Sequence, residues 1–293
     1  MNLVVGATGT LGGEICSRLA GAGKPVRGLT RPSSDPGKIA ALQKQGVEIA
    51  TGDLTDPASL DAACRGVTTI YSTATAIQSR QEGNTLDRVD REGQANLVEA
   101  ARKARVRRFV FISFREKREF DFPLQAAKRA TAESLKKSGI PWTIIEASLF
   151  MEIWLSPHLG FDAANGRARV FGAGDKKISY VSYRDVAALA IAAAESPEAE
   201  NRVVEVGGPE ALSPLEVVRI FEERAGRKFE VEHVSDDSLR AMKSNAKTPV
   251  EETFAALMLS CTNGDEIDMH PTLSRFPVRL TSVREYADRV LAG

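Results

Sequence analysis

Cysteine, histidine and aromatic side chains are scarce in this 293-residue chain, and no charge of either sign predominates. Its three cysteines (Cys16, Cys64, Cys261) stand far apart and form no C-x-x-C pair, which argues against a disulfide framework or a structural zinc site. The three histidines, His158, His233 and His270, are scattered without ligand spacing, and no metal site is expected. Lys plus Arg and Asp plus Glu each total 39, so no overall field draws the chain to nucleic acid or to an anionic membrane. The local basic runs 102–108 and 115–118 lack interleaved aromatics for stacking and read as solvated helix ends or loops. The longest purely apolar stretch, Val186 to Ala194, falls far short of the ~20 residues of a membrane span. A strand-like run begins at residue two or three and leaves no room for a leader peptide, so the expected location is the cytoplasm.

What is present is a regular alternation. Apolar, β-branched runs (3–5, 26–29, 47–49, 67–71, 109–112 and 142–145) are separated by segments of helical period (11–20, 38–45, 59–64, 87–104 and 124–138). Strand and helix repeated at this spacing predict an α/β fold: a doubly wound parallel Rossmann sheet over residues 1–150. Beyond 150 the rhythm loosens into short strands near 168–171 and 178–181, a helix over 183–195, a strand over 202–206 and a mostly helical remainder. These make residues 151–293 a smaller mixed α/β C-terminal substrate lobe, with some strands returning to the main sheet. Local punctuation agrees. Asp56-Pro57 and Ser213-Pro214 start helices, and Gly23 and Gly139 close them.

The first turn carries the chemistry. Gly6-Ala7-Thr8-Gly9-Thr10-Leu11-Gly12 follows a strand, opens a helix and lies in a βαβ unit, the context in which a glycine motif becomes a phosphate cradle. Gly6 permits the turn off the strand, Gly9 lets backbone approach a pyrophosphate, and Gly12 lets the helix pack closely on the sheet. NAD-specific cradles place an acidic residue at the end of the second strand. Here no acid lies between Glu14 and Asp35, and Arg31 offers a guanidinium suited to a 2′-phosphate, with Ser33, Ser34 and Lys38 nearby. NADP(H) is therefore expected rather than NAD. Asp53 and Leu54 follow the third strand where adenine is expected, although Asp53 is equally a turn or capping residue. Thr73 and Ala74 end the fourth strand beside the expected cofactor path.

These residues, together with "VRRFVFIS", resemble the atypical short-chain dehydrogenase/reductases. More narrowly, "AAKRATAESLKKSGIPWTIIEASLFMEIW" and "FPVRLTSVREYADRV" are similar to the NmrA-like branch. The resemblance spans nearly the whole chain. It implies NADPH-dependent reduction of a small apolar acceptor, such as a quinone, a dye or a conjugated carbonyl. The same branch also holds redox-sensing regulators that bind NADP without evident catalysis, so a non-catalytic sensor or assembly subunit is the alternative.

The resemblance also locates candidate site residues. Many short-chain enzymes use a Tyr-x-x-x-Lys pair, but none of Tyr71, Tyr180, Tyr183 and Tyr286 has a lysine four residues later. Lys128 falls at the lysine's place with Leu124 where the tyrosine would stand, so the general acid is missing while the lysine remains to hold a ribose and orient the ring. By itself, Lys128 is also an ordinary solvated residue of an amphipathic helix. Ser113 occupies the place of a catalytic serine, or simply caps its strand. Phe114, Phe150 and Met151 are expected to wall an apolar substrate pocket. His158 reads as a surface histidine before a proton donor, and the charged stretch 114–122 reads as either a lid or a disordered flap, its run of charges favouring the mobile, exposed form. The sequence leaves oligomeric state open.

Overall fold

The computed structural model describes residues 1–77, 79, 83–116 and 121–292. Its principal sheet uses β1 (Asn2–Val5), β2 (Val26–Thr30), β3 (Glu48–Thr51), β4 (Thr69–Ser72), β5 (Arg108–Ser113) and β6 (Trp142–Ala147). The intervening helices are α1 (Thr10–Gly21), α2 (Pro36–Lys44), α3 (Pro57–Ala63), α4 (Gln94–Lys103) and α5 (Pro123–Lys137). The strand order is β3-β2-β1-β4-β5-β6, with a seventh strand at the edge beside β6, and the five pairings among the first six are parallel. This is the doubly wound Rossmann arrangement. Its order reverses between β1 and β4, which places the crevice for a ligand at the carboxyl end of β1. The central strands carry the core: Leu3 and Val4 of β1, Ile70 of β4 and Phe109, Val110 and Phe111 of β5 are all fully buried.

The later elements are α6 (Met151–Trp154), β7 (Phe161–Asp162), β8 (Arg167–Phe171), α7 (Tyr183–Glu195), β9 (Arg202–Val206), α8 (Pro214–Ala225), β10 (Glu230–Val234), α9 (Asp236–Ser244), α10 (Pro249–Cys261), α11 (His270–Arg275) and α12 (Val283–Leu291). The seventh strand of the principal sheet is β9, and β10-β8-β7 form a separate three-stranded sheet. The chain divides into two compact units, each discontinuous. One comprises Met1–Ser113, Pro123–Glu146 and Val186–Val204; the other comprises Phe114–Phe122, Ala147–Asp185 and Glu205–Gly293.

Three expectations need correction. Residues 178–181 form no strand; Ile178 bridges Leu212 and Asp265, and Val181 bridges Phe150, one residue pair at a time. The segment 87–104 is not one α-helix, because Leu86–Gly93 winds as a π-helix before α4 begins. The basic runs are not uniformly solvated. Arg108 is buried, donating from Nη1 to Thr143 Oγ1 at 3.3 Å and from Nη2 to the Ser196 carbonyl at 3.3 Å. Of the run 115–118, residues 117 and 118 lie outside the described residues, as do 119 and 120 of the expected flap.

Arg115 is described, and it is paired. Its Nη2 donates to Asp265 Oδ1 at 2.7 Å and to the Glu266 carbonyl at 2.8 Å. Asp265 is buried and also accepts from Ser148 Oγ at 2.7 Å. Within the second unit this carboxylate joins three separate stretches of chain. Asp265→Ala leaves the Arg115 guanidinium and the Ser148 hydroxyl without it. The expected loss is about 2–3 kcal/mol, read as a lower midpoint in urea denaturation.

Candidate functional site

The turn between β1 and α1 is built from contacts that admit no side chain. Gly6 has φ of +88°, in the left-handed region, and a Cβ there would lie 2.6 Å from Thr73 Oγ1. A Cβ on Gly12 would lie 2.1 Å from the Gly6 carbonyl oxygen, so the first turn of α1 rests directly on the backbone leaving β1. The Gly9 N–H closes the loop onto the Gly6 carbonyl at 2.9 Å. Thr73 secures the opposite side, its N–H and Oγ1 both donating to the Val5 carbonyl at 3.0 Å. Gly6, Gly12, Thr73 and Ala74 thus come together from the ends of two adjacent strands and the start of one helix.

The helix start is open. Asp35, Asp56 and Ser213 each cap a helix by accepting from a backbone N–H of its first turn, but the N-cap of α1 is Gly9, which has no side-chain oxygen to offer. The N–H groups of Thr10, Leu11 and Gly12 occupy the first three helical positions, where no intrahelical carbonyl precedes them. Thr8 and Leu11 are half-buried at the rim, while Gly9 and Thr10 are exposed. A row of N–H donors at the positive end of a 12-residue helix, approached over bare glycine, fits a pyrophosphate.

Arg31 directly follows β2 and is half-buried; its N–H donates to Ser34 Oγ at 3.0 Å, which shapes the turn. Among the described residues no carboxylate pairs with its guanidinium. Asp53 serves its own turn, Oδ1 accepting from the Thr55 N–H at 2.8 Å and from Thr55 Oγ1 at 2.7 Å. Leu54 is buried against Gly93, and its carbonyl accepts from Asn96 Nδ2 at 3.1 Å. Little of Leu54 is left for a ligand.

Lys128 is not a solvated helix residue. It lies on the inner face of α5, its Nζ donating to the Ile112 carbonyl at 2.9 Å and sitting 4.7 Å from the centroid of the Phe111 ring. Burial pulls its ammonium below the usual lysine range, and the carboxylate of Asp90 opposes that pull. Ser113 is the last residue of β5, half-buried and in register with Glu146 of β6.

The residues expected to line a substrate pocket all belong to the second unit. Phe114 stacks on Phe122, with centroids 5.9 Å apart and planes 10° from parallel. Phe150 is half-buried and bridges Val181. Met151 is fully buried among Leu155, Tyr180, Phe221 and Tyr286, so it packs in a core and presents no surface to a ligand. A small cavity of about 30 Å³ lies within the same core, lined by Trp154, Phe161, Phe171, Tyr180 and Cys261 among others.

Sequence reasoning missed Asp90 and Gln94. Both are buried, and both brace the backbone after β4. Asp90 Oδ2 accepts from the Ala76 N–H at 2.8 Å, while Gln94 accepts from Ser72 Oγ at 2.7 Å and donates to the Ala74 carbonyl at 3.2 Å. A signal existed: Leu86, Val89, Asp90, Gly93 and Leu97 fall on one buried stripe, and Asp90 is the charge on it.

With this geometry in place, the chain's kinship is clear: it belongs to the NmrA-like family, which it matches over residues 2–287. It is similar to (4-alkanoyl-5-oxo-2,5-dihydrofuran-3-yl)methyl phosphate reductase of Streptomyces griseus subsp. griseus, with 31% identity over 95% of this chain and 93% of that protein. It is also similar to the photosystem II assembly factor Ycf39 of Trieres chinensis, with 28% identity over 79% of this chain and 71% of the relative. Among solved structures, the NADPH-dependent quinone oxidoreductase QOR2 of Escherichia coli, complexed with NADPH, superposes with a TM-score of 0.79. That likeness covers 99% of both chains at 23% identity and speaks to the fold. No helix among the described residues is long and apolar enough to cross a membrane.

Proposed function

We propose that this protein binds NADP(H) and reduces a small, largely apolar acceptor, such as a quinone, a dye or a conjugated carbonyl, by direct hydride transfer. The observation that carries the proposal is the uncapped start of α1, seated on Gly6 through Gly12, with the Arg31 guanidinium at the end of the neighbouring strand. The N–H groups of Thr10, Leu11 and Gly12 would hold the pyrophosphate, and Arg31 the 2′-phosphate. Lys128 would donate to a hydroxyl of the ribose nearest the reacting ring and hold positive charge where electron density builds on the acceptor. The nicotinamide supplies the hydride when bound. No side chain need act as general acid toward an acceptor that delocalises the incoming charge and takes its proton from water, so the missing tyrosine is tolerated.

A second reading, a nucleotide-binding assembly or sensor protein without turnover, is favoured by the absent Tyr-x-x-x-Lys pair and by the likeness to Ycf39. The two separate in one titration. NADPH and NADH are added to the purified protein and followed by fluorescence, after which a quinone and a dye acceptor are supplied. Arg31→Ala is expected to weaken NADPH by about 2 kcal/mol, roughly thirtyfold, with NADH scarcely affected. Oxidation of NADPH by either acceptor supports the reductase. Tight binding with no oxidation supports the sensor, and equal effects of Arg31→Ala on both nucleotides would overturn the 2′-phosphate assignment.

A further inference from the structure

The end of β4 carries a hydroxyl that the strand ladder does not need. β1 and β4 run in parallel register as far as Val5 and Ser72, and the Thr73 N–H closes the ladder on the Val5 carbonyl at 3.0 Å. Thr73 Oγ1 then donates to the same oxygen, also at 3.0 Å. A carbonyl oxygen has two lone pairs, and here a single residue takes both.

That carbonyl belongs to the peptide joining Val5 to Gly6. The peptide is planar, so holding its oxygen with two donors also fixes the direction in which Gly6 leaves the strand. The rest of the turn depends on that direction. Gly6 departs with φ of +88°, and its own carbonyl accepts the Gly9 N–H at 2.9 Å and lies 2.1 Å from where a Gly12 Cβ would stand. Thr73 Oγ1 is 2.6 Å from the place of a Cβ on Gly6 and 3.0 Å from that of a Cβ on Gly12, so the hydroxyl sits where both glycines face β4. Thr73 is held in its turn from either side by the buried Gln94 of α4. The Ser72 hydroxyl donates to Gln94 Oε1 at 2.7 Å, and Gln94 Nε2 donates to the Ala74 carbonyl at 3.2 Å.

We propose that Thr73 is the positioning residue of the glycine turn: its hydroxyl locks the Val5–Gly6 peptide plane and, through Gly6, sets where the N–H groups at the start of α1 stand. With its proton committed to Val5, the hydroxyl acts on the protein backbone and not on a bound nucleotide. The consequence for the ligand rests on the function proposed above. A pyrophosphate held by the N–H groups of Thr10, Leu11 and Gly12 feels the loss of the hydroxyl. An adenosine 2′-phosphate held after β2 and β3 does not, because those strands lie on the far side of β1 from β4. Thr73→Val is the sharpest probe. A carbon rests about 3.3–3.6 Å from a carbonyl oxygen, so a methyl in the hydroxyl's place removes a donor and also turns the Val5–Gly6 plane away.

The test compares Thr73→Val with Thr73→Ala, which removes the hydroxyl without adding bulk, and with Thr73→Ser, which keeps it. Exchange of the Gly9 amide with solvent is first measured by NMR without nucleotide. The Gly52 amide, which donates to the Thr30 carbonyl at 2.9 Å, serves as a remote reference. Binding of NADPH, NADH and adenosine 2′-monophosphate is then titrated. Gly9 is expected to exchange about fivefold faster in the Val and Ala variants, with Gly52 unchanged. NADPH and NADH are expected to weaken alike, by about tenfold, and the monophosphate to stay within about twofold. Thr73→Ser is expected to restore both the exchange rate and the affinities. Unmoved Gly9 exchange overturns the proposal, since weaker binding would then come from direct contact between hydroxyl and ligand. Equal weakening of the monophosphate overturns it too, as a general loosening of the sheet. Faster Gly9 exchange in the variants of a protein that binds neither dinucleotide would leave the brace standing and fail the proposed function instead.

Discussion

Gly12→Ala is expected to destabilise the protein by about 3 kcal/mol and to abolish nucleotide binding. The added Cβ would lie 2.1 Å from the Gly6 carbonyl oxygen and 2.7 Å from its carbon, and neither atom can swing aside as a flexible side chain would. Relief requires α1 to move off the end of β1, which separates its N–H groups from the turn that presents them. Two other substitutions, at the N-cap and at the last residue of the same helix, calibrate the result. A Cβ on Gly9 would meet the Gly6 carbonyl oxygen at 3.2 Å, a contact that a small shift absorbs. At Gly21 nothing lies within 4 Å, and Gly21→Ala is expected to be neutral or to stabilise by about 0.5 kcal/mol through the unfolded chain. Denaturation midpoints ordered Gly21→Ala, Gly9→Ala, Gly12→Ala, from highest to lowest, support close packing of helix on strand as the reason for the third glycine. A Gly12→Ala protein with native stability and native NADPH affinity would refute it.

Lys128→Met is expected to produce a stability loss that depends on pH. The substitution keeps the length and apolar stem of the side chain but strands the Asp90 carboxylate in the interior. Burial already raises Asp90, and the ammonium that opposed this is gone, so its folded-state value climbs further above that of the unfolded chain. A carboxyl raised on folding binds its proton more tightly in the native state. Stability is therefore full below the unfolded value, near 4, and is lost as pH rises through the folded value. Compared with the unmodified protein, Lys128→Met should be nearly as stable in mild acid and weaker by about 3 kcal/mol at neutral pH and above. The double substitution Lys128→Met with Asp90→Asn should recover most of that loss, because the stranded charge is removed along with its partner. A loss independent of pH and additive in the double variant would show that Lys128 contributes packing and no charge balance.

Much of the fold could be read from local chemistry. The helix starts at Asp56-Pro57 and Ser213-Pro214, and the strand at 202–206, appear as expected because a capping oxygen, a proline in the first turn and a β-branched run act within a few residues of themselves. Elements that depend on distant partners were not legible. The strand β10 is mostly exposed along its length and carries two glutamates and a histidine, so nothing in its pattern separates it from a loop; it exists because β8 offers a parallel edge. Residues 178–181 have a strand-like composition but find only isolated bridges, to Leu212, Asp265 and Phe150.

For the site the division is similar. The glycine spacing, the absence of an acid after the second strand and the presence of Arg31 are all properties of consecutive residues, and they were sufficient to point to a phosphate cradle before any fold was known. Residue identity alone could not tell that Lys128 is buried over Phe111, that Arg108 and Arg115 turn inward to fixed partners, or that Met151 belongs to a core. Nor could it separate Asp90 from Asp87, three residues away on the same segment, one sunk beneath the 72–76 backbone and the other in water. Backbone preference and motif spacing are short-range and survive in the unfolded chain. Burial, and with it the charge balance of Asp90 and Lys128, arises only when the π-helical turn, α5 and the end of β4 are brought together and water is driven out from between them.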